Sequence, residues 1–245
     1  VTARSFRVYV ATDPVWPKPA GRHVQDGVMT TDDGHAHEEH DHDHDHDHGD
    51  HEHHEHEHHH EHRPLSYEEA VEGFRADKDD YFASNPHSPI PEAERAAFTG
   101  LPYYPISTSL RFEDLALEPY TGDAPSDFEI PTSDGKLRPA HRAGYLGFEL
   151  DGARHRLTAY TFDGGDGGDG ESLFVPFLDA TSGRETYGAG RYLDLEPEDD
   201  GTYSLDFNLA YHPSCVYDMK YSCPLTPAEN RLPIRIEAGE RLTPA

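Results

Sequence analysis

The fold class of this chain is decided by Gly144-Tyr-Leu-Gly-Phe-Glu-Leu-Asp-Gly-Ala-Arg-His-Arg-Leu-Thr-Ala-Tyr-Thr-Phe162. Two runs rich in aromatic and aliphatic residues, 144–150 and 153–162, flank the dipeptide Asp151-Gly152. An Asp-Gly pair between two such runs indicates a β-hairpin with a two-residue turn, because both turn residues need a positive φ. The segment therefore predicts two antiparallel strands joined by a tight turn.

Further strands are predicted on both sides of this hairpin, at 110–117, 128–131, 173–178, 203–208 and 234–238. Strands at roughly ten-residue spacing without intervening helices are typical of an antiparallel barrel or sandwich. Before them, Ser66-Tyr-Glu-Glu69 fits a capping box, so a helix is expected over 67–83 and a second, short one over 92–98. We therefore expect a mainly β fold, a single antiparallel β-barrel or sandwich-like domain over 66–242 with one or two N-terminal helices.

Residues 35–62 have a different composition from the rest of the chain: fifteen are His, eleven are Asp or Glu, and only Ala36 and Gly49 interrupt them. Without hydrophobic residues to offset the ordering entropy, this segment is expected to be disordered. Neutral imidazoles bind Zn²⁺ and Ni²⁺ well, and the carboxylates attract cations. The predicted metal ligands are His35, His37, His40, His42, His44, His46, His48, His51, His53, His54, His56, His58, His59, His60 and His62.

The charge of the chain limits its partners. The formal net charge is −28 with only four lysines, and Asp and Glu are frequent outside 35–62 as well. Such a surface repels phosphate backbones and anionic lipids, so neither nucleic acid nor membrane is an expected partner. High acid content with little lysine is also typical of halophilic proteins.

Two further features of the sequence concern the location of the protein and its N-terminus. No apolar run is long enough for a membrane span or a signal peptide, so a cytoplasmic location is expected. Residues 1–34 are expected to be poorly ordered, and Met29 is a plausible alternative start.

Polar residues lie among aromatic and small ones between 179 and 215, which indicates either a hydrogen-bonded scaffold or a site. Turns at Thr181-Ser-Gly183 and Gly188-Ala-Gly190 are predicted to direct neighbouring side chains toward one space. The catalytic candidates are Glu185, Tyr187, Arg191, Asp206 and Cys215, which offer acid–base or nucleophilic chemistry. The alternative is an arginine–carboxylate network that braces the mouth of a barrel.

Cys215 and Cys223 frame seven residues, and a hairpin centred on Met219 would bring the two cysteines together. Three interpretations remain open: two adjacent reduced thiols, a Zn²⁺ site with His212, or a disulfide or redox pair. The possible second metal site therefore comprises His212, Cys215 and Cys223.

Several motifs together resemble the DUF1684 family, a group of proteins of unknown function. They include Phe74-Arg-Ala-Asp-Lys78, Phe98-Thr-Gly-Leu-Pro-Tyr-Tyr-Pro105, the stretch from Leu173 to Asp194, and Ile236-Glu-Ala-Gly-Glu240. The resemblance covers about residues 67–242 and implies family membership but no reaction. The family commonly has Asn-Pro-Tyr-Cys where this chain has His212-Pro-Ser-Cys215.

Three functions are compatible with these patterns. The first is a cytosolic protein that binds, buffers or delivers Zn²⁺ or Ni²⁺ through residues 35–62. The second is an enzyme with a polar site in the 179–215 block, and the third is a non-catalytic β-barrel that binds a small polar ligand. No cofactor beyond the divalent metal is predicted.

Overall fold

The computed structural model describes residues 63–162 and 172–243. The predictions for 1–34 and 35–62, including all fifteen histidines, lie outside the described residues. Within them, the helices are α1 (Tyr67–Ser84) and α2 (Glu92–Arg95), and the strands are β1 (Arg111–Leu115), β2 (Leu117–Pro119), β3 (Asp127–Pro131), β4 (Leu137–Leu150), β5 (Ala153–Thr161), β6 (Leu173–Phe177), β7 (Arg191–Leu195) and β8 (Tyr203–Asp206).

Helix α1 begins with the predicted capping box. The Glu69 amide donates to Ser66 Oγ at 3.2 Å, and the Ser66 amide donates to Glu69 Oε2 at 2.7 Å. The helix ends at Ser84, with Asn85 as its C-cap before Pro86, and it buries Val71, Lys78 and Phe82. A buried lysine on this face requires a partner on the body of the domain.

The main sheet has the strand order β2-β4-β5-β6-β7, and β3 pairs with β4 on the side of β2. Its centre is the predicted β4–β5 hairpin, whose turn residues Asp151 and Gly152 have φ values of 53° and 74°. One face of these strands carries Leu146, Leu157 and Leu193, which belong to the largest hydrophobic cluster. This sheet therefore has one face against the core, as alternating strands require.

Strands β1 and β8 form a second, two-stranded sheet that covers the same core. Leu205 and Phe207 contribute to the core from this side, and Phe112 packs against it. The predicted strand at 110–117 is interrupted after Leu115. Asp114, with a φ of 57°, lies at an irregularity near the end of β1, and Leu117 begins β2 in the main sheet. The described residues form no closed barrel, and the two sheets fit the sandwich-like alternative.

The prediction and the structure differ in two strands. Residues 234–238 form no strand, and their carbonyls and amides are hydrogen-bonded by side chains from elsewhere, chiefly Arg191 and Asp179. Strand β7 was not predicted, because Arg191 and Asp194 obscure its apolar alternation.

The predicted hairpin around Met219 is also absent. Ser214–Val216 is a turn of 3₁₀ helix followed by a loop, and Met219 is 78% exposed. Among the described residues, no helix has the length and apolar character needed to cross a bilayer.

Candidate functional site

A cavity of about 290 Å³ opens on the face of the main sheet that points away from the large core. Leu157 and Ala159 of β5 point into the core, so Arg156 and Thr158, which alternate with them, point the opposite way. Tyr145 of β4 pairs with Thr158 and shares this face. We call this space the outer cavity; it is lined by Tyr120, Gly122, Asp123, Ala124, Arg142, Tyr145, Arg156, Thr158 and Glu229.

One side of the outer cavity is fixed by a buried arginine. Arg142 Nε donates to Glu229 Oε1 at 3.0 Å, and its Nη1 donates to the Pro125 carbonyl at 2.7 Å. Tyr160 Oη donates to the same Glu229 oxygen at 3.1 Å. Burial opposes ionisation of Glu229, but hydrogen bonds from the backbone, Arg142 and Tyr160 outweigh it and lower the pKa of this carboxyl group. Glu229 therefore neutralises Arg142 and leaves it little capacity for an external anion.

The other side of the outer cavity carries an exposed arginine. Arg156 is exposed, and its guanidinium lies 4.3 Å from the centre of the Tyr145 ring. Tyr145 in turn contacts Tyr120, with ring centres 5.3 Å apart. No Asp or Glu oxygen of the described chain lies within 4.0 Å of the Arg156 guanidinium. In a chain with a net charge of −28, this guanidinium remains available to an anionic ligand.

A second polar cluster surrounds the two cysteines, which are each 4% exposed and are not joined by a disulfide. The Cys215 amide donates to Cys223 Sγ at 3.3 Å, and Tyr187 Oη lies 4.0 Å from Cys215 Sγ. Hydrogen bonding from the Cys223 thiol, aided by Ser133 and Tyr187, outweighs desolvation and lowers the pKa of Cys215 to about 6.

Arg191 belongs to the scaffold. It is 1% exposed, it points to the core side of β7, and it donates to the carbonyls of Ile236, Ala238 and Glu240. Its Nη2 also lies 3.7 Å from Asp179 Oδ2, and Asp179 accepts the Ile236 amide at 2.7 Å. These contacts fix the C-terminal segment against the sheet.

A buried charge cluster continues this network to α1. Glu240, 1% exposed, pairs with Lys78 at 2.6 Å and accepts the His212 amide and the Tyr217 hydroxyl at 2.7 and 3.1 Å. Burial alone would raise the pKa of Glu240, but Lys78 and His212 outweigh it and lower the pKa. Desolvation lowers the pKa of His212 to about 4, although Glu240 opposes this effect. The imidazole is therefore neutral at neutral pH.

The five catalytic candidates do not share one set of contacts. Tyr187 and Cys215 meet each other, whereas Arg191 is occupied by the C-terminal segment. Glu185 lies at the surface, where it accepts Tyr104 Oη at 3.0 Å and pairs with Arg235 at 2.6 Å. Asp206 accepts Tyr67 Oη at 2.7 Å at the start of α1.

The possible second metal site is not formed. Among the described residues, no three His, Cys, Asp or Glu side chains are grouped so that they could hold a metal ion. The physical reason is the orientation of His212, whose Nε2 accepts the Tyr187 amide at 3.3 Å while its Nδ1 lies 3.6 Å from Glu240. Both ring nitrogens face protein groups and neither joins the two cysteines in a ligand set.

The residues of the outer cavity were missed by sequence reasoning. The available signal was the pair Arg156 and Thr158, two polar residues that alternate with the apolar Leu157 and Ala159 in one strand. The remaining lining residues come from 120–124, β4 and 229, which are distant in sequence. Their convergence depends on the packing of these segments across the sheet.

The sequence matches the family model described as a protein of unknown function, DUF1684, over residues 96–241. Among solved structures, it is similar to the solution NMR structure of an uncharacterized protein of Haloarcula marismortui. That similarity has 37% sequence identity and a TM-score of 0.53, and it covers 71% of this chain and 92% of the other. No curated protein matches.

Proposed function

Since the chain belongs to the DUF1684 family, whose description specifies no activity, we propose from the geometry that its β domain binds a small organic anion in the outer cavity, as a non-catalytic ligand-binding module. The observation that carries this proposal is Arg156, an exposed guanidinium over an aromatic ring and without a carboxylate partner among the described residues. The ligand class is an aromatic carboxylate or phosphate.

The shape of the cavity supports this class. Its volume of about 290 Å³ is near the lower end of the range for small-molecule sites, roughly 300–1,000 Å³. The Tyr120–Tyr145 pair offers an aromatic wall, and the carboxylate of Glu229 is already engaged by Arg142 and Tyr160. An anionic group at Arg156 with an aromatic body against the tyrosines would use both features.

The test uses benzoate and phenyl phosphate as probes, with binding followed by NMR chemical-shift titration. Arg156→Gln should weaken binding by about 10- to 100-fold, which corresponds to the roughly 1.5–3 kcal/mol of a charge-assisted hydrogen bond. Arg154→Gln is the matched control, because Arg154 lies on the same strand but pairs with Glu118 at 2.5 Å. Equal weakening by both substitutions, or equal binding of neutral benzamide, would contradict the proposal.

Divalent-metal binding by residues 35–62 is a second candidate function, favoured by the density of fifteen histidines among eleven acids. We infer that the segment takes up about four Zn²⁺ or Ni²⁺ ions at three or four ligands each, so that the protein buffers or delivers metal. Such uptake requires neutral imidazoles and should fall between pH 7 and pH 5.

Calorimetric titration of the full chain with Zn²⁺ tests this second function. Replacement of all fifteen histidines by serine should abolish uptake, whereas replacement of the eleven acids by their amides should retain most of it. Unchanged Zn²⁺ uptake in the serine variant refutes the metal-binding function and leaves the proposal for the outer cavity untouched.

A further inference from the structure

The environment of Cys215 and Cys223 differs from that of two unrelated core thiols. The Cys215 amide donates to Cys223 Sγ at 3.3 Å, which places the sulfur of one cysteine against the backbone of the other. Hydrogen bonding between the two side chains is the largest influence on the ionisation of Cys215. The two cysteines are therefore adjacent in the folded state, with the Cys223 sulfur against the Cys215 amide.

The position of Cys223 is fixed by a turn from another part of the chain. Its amide donates to Ser133 Oγ at 3.0 Å, and its carbonyl accepts the Ser133 amide at 2.8 Å. The adjacent Ser222 hydroxyl donates to Asp134 at 2.7 Å. Cys223 is thus anchored to the turn between β3 and β4.

Part of the segment between the cysteines lies at the surface, unlike the cysteines themselves. Met219 is 78% exposed, and the side chain of Lys220 is 61% exposed. Tyr187, which is partly exposed, covers Cys215 with its hydroxyl 4.0 Å from the sulfur. An oxidant that reacts with Cys215 must therefore be small and must pass this phenol, because Cys215 is only 4% exposed.

From this arrangement we propose that Cys215 and Cys223 form a dithiol site that reduces hydroperoxides, with Cys215 as the attacking thiolate and Cys223 as the resolving thiol. The site is separate from the outer cavity and from residues 35–62. Neither a metal ion nor a third cysteine takes part, and the chain has only these two cysteines.

The reaction balances in two steps. The Cys215 thiolate attacks the terminal oxygen of the hydroperoxide, the O–O bond breaks, and the leaving alkoxide or hydroxide takes a proton to become an alcohol or water. The Cys223 thiol then attacks the sulfenic sulfur of Cys215, and its proton leaves with the displaced hydroxide as water. Two thiols are oxidised to one disulfide, and one peroxide bond is reduced. A low-molecular-weight thiol restores the dithiol by exchange.

The test uses the full chain, reduced and treated with hydrogen peroxide in the presence of a chelator, which removes redox metals that the histidines could hold. Intact mass after alkylation of the remaining thiols reports the products. The protein should lose both alkylatable thiols and two hydrogens per molecule, at one peroxide consumed, and dithiothreitol should restore them.

Two serine variants assign the roles. Cys223→Ser should accumulate a sulfenic acid at Cys215 that dimedone traps, and Cys215→Ser should lose its remaining thiol at least tenfold more slowly. Retention of both thiols in excess peroxide overturns the proposal, as does oxidation beyond sulfenic acid without a disulfide. Equal oxidation rates in the two variants also overturn it, because Cys215 would then have no special reactivity. Circular dichroism of each variant confirms that the fold is retained.

Discussion

Replacement of His212 by Asn is expected to make the domain markedly less sensitive to mild acid. His212 is 4% exposed, and desolvation, together with the positive charges of Arg191 and Lys78, lowers the pKa of the folded imidazole from 6.5 to about 4 despite the opposing carboxylate of Glu240. Above pH 7 the imidazole is neutral in both states. As the pH falls below 6.5, the unfolded chain takes up a proton that the folded chain rejects, so stability is lost.

The size of this loss follows from the two pKa values. Between pH 7.5 and pH 5, proton uptake by the unfolded chain alone costs the folded state about 2 kcal/mol, since one pKa unit corresponds to about 1.4 kcal/mol. An asparagine at position 212 does not titrate, so His212→Asn should lose about 2 kcal/mol less over the same interval. Any constant cost of the substitution cancels in the comparison.

Urea unfolding followed by circular dichroism at pH 7.5, 6 and 5 measures this difference. The fifteen histidines of 35–62 are present in both proteins and cancel as well. If both proteins lose the same free energy of unfolding between pH 7.5 and pH 5, the folded imidazole is protonated and Glu240 outweighs burial, which refutes the reasoning.

Three further substitutions test the scaffold by urea unfolding at pH 7.5. Arg191→Met should lower the free energy of unfolding by about 3–5 kcal/mol, because it leaves three buried carbonyls and Asp179 without the guanidinium that contacts them. A loss under about 1 kcal/mol would show that these groups find other partners. Lys78→Met should cost a similar amount by leaving Glu240 buried without its ion-pair partner. This loss of unfolding free energy should shrink toward acid pH as Glu240 protonates, and a loss independent of pH would contradict the reasoning. Asn230→Ala should lower the free energy of unfolding by about 2–4 kcal/mol. The Asn230 side-chain amide links β5 to β6 by hydrogen bonds to both backbone groups of Thr158 and to the Pro176 carbonyl. A neutral effect would show that water replaces this amide.

The elements that were predicted correctly depend on local patterns. The β4–β5 hairpin forms because Asp151 and Gly152 supply two residues of positive φ between strands that already alternate. Helix α1 begins where Ser66 and Glu69 satisfy each other's backbone amides. Each of these signals is contained within a few consecutive residues, so it can be recognised without knowledge of the tertiary structure.

The strand that was missed depends on a distant partner. Arg191 begins β7 and is fully buried, because carbonyls of 236–240 receive its guanidinium. The same contacts explain why 234–238 is not a strand: its hydrogen bonds go to side chains and loops instead of a neighbouring strand. One long-range interaction therefore accounts for both errors, and periodicity within either segment could not reveal it.

The outer cavity could not be located from the sequence for a related reason. A shift of register between Arg142 and Gly144 on β4 changes which side chains face outward, and the loop at 120–124 and Glu229 close the space from both sides. The position of Arg156 on the exposed face of a strand can be predicted from the sequence. Its lack of a carboxylate partner in the described chain depends on where every acidic side chain of the fold lies.

The resemblance implies Asn at the position of His212, and the protonation state of this histidine accounts for the difference. The neutral imidazole accepts the Tyr187 amide at Nε2 and directs its Nδ1 toward Glu240 at 3.6 Å. An asparagine side chain offers the same combination, an oxygen that accepts and a nitrogen that donates. A positively charged imidazole could not accept at all. The two residues are therefore interchangeable only while His212 stays neutral, and burial beside Arg191 and Lys78 is what keeps it so.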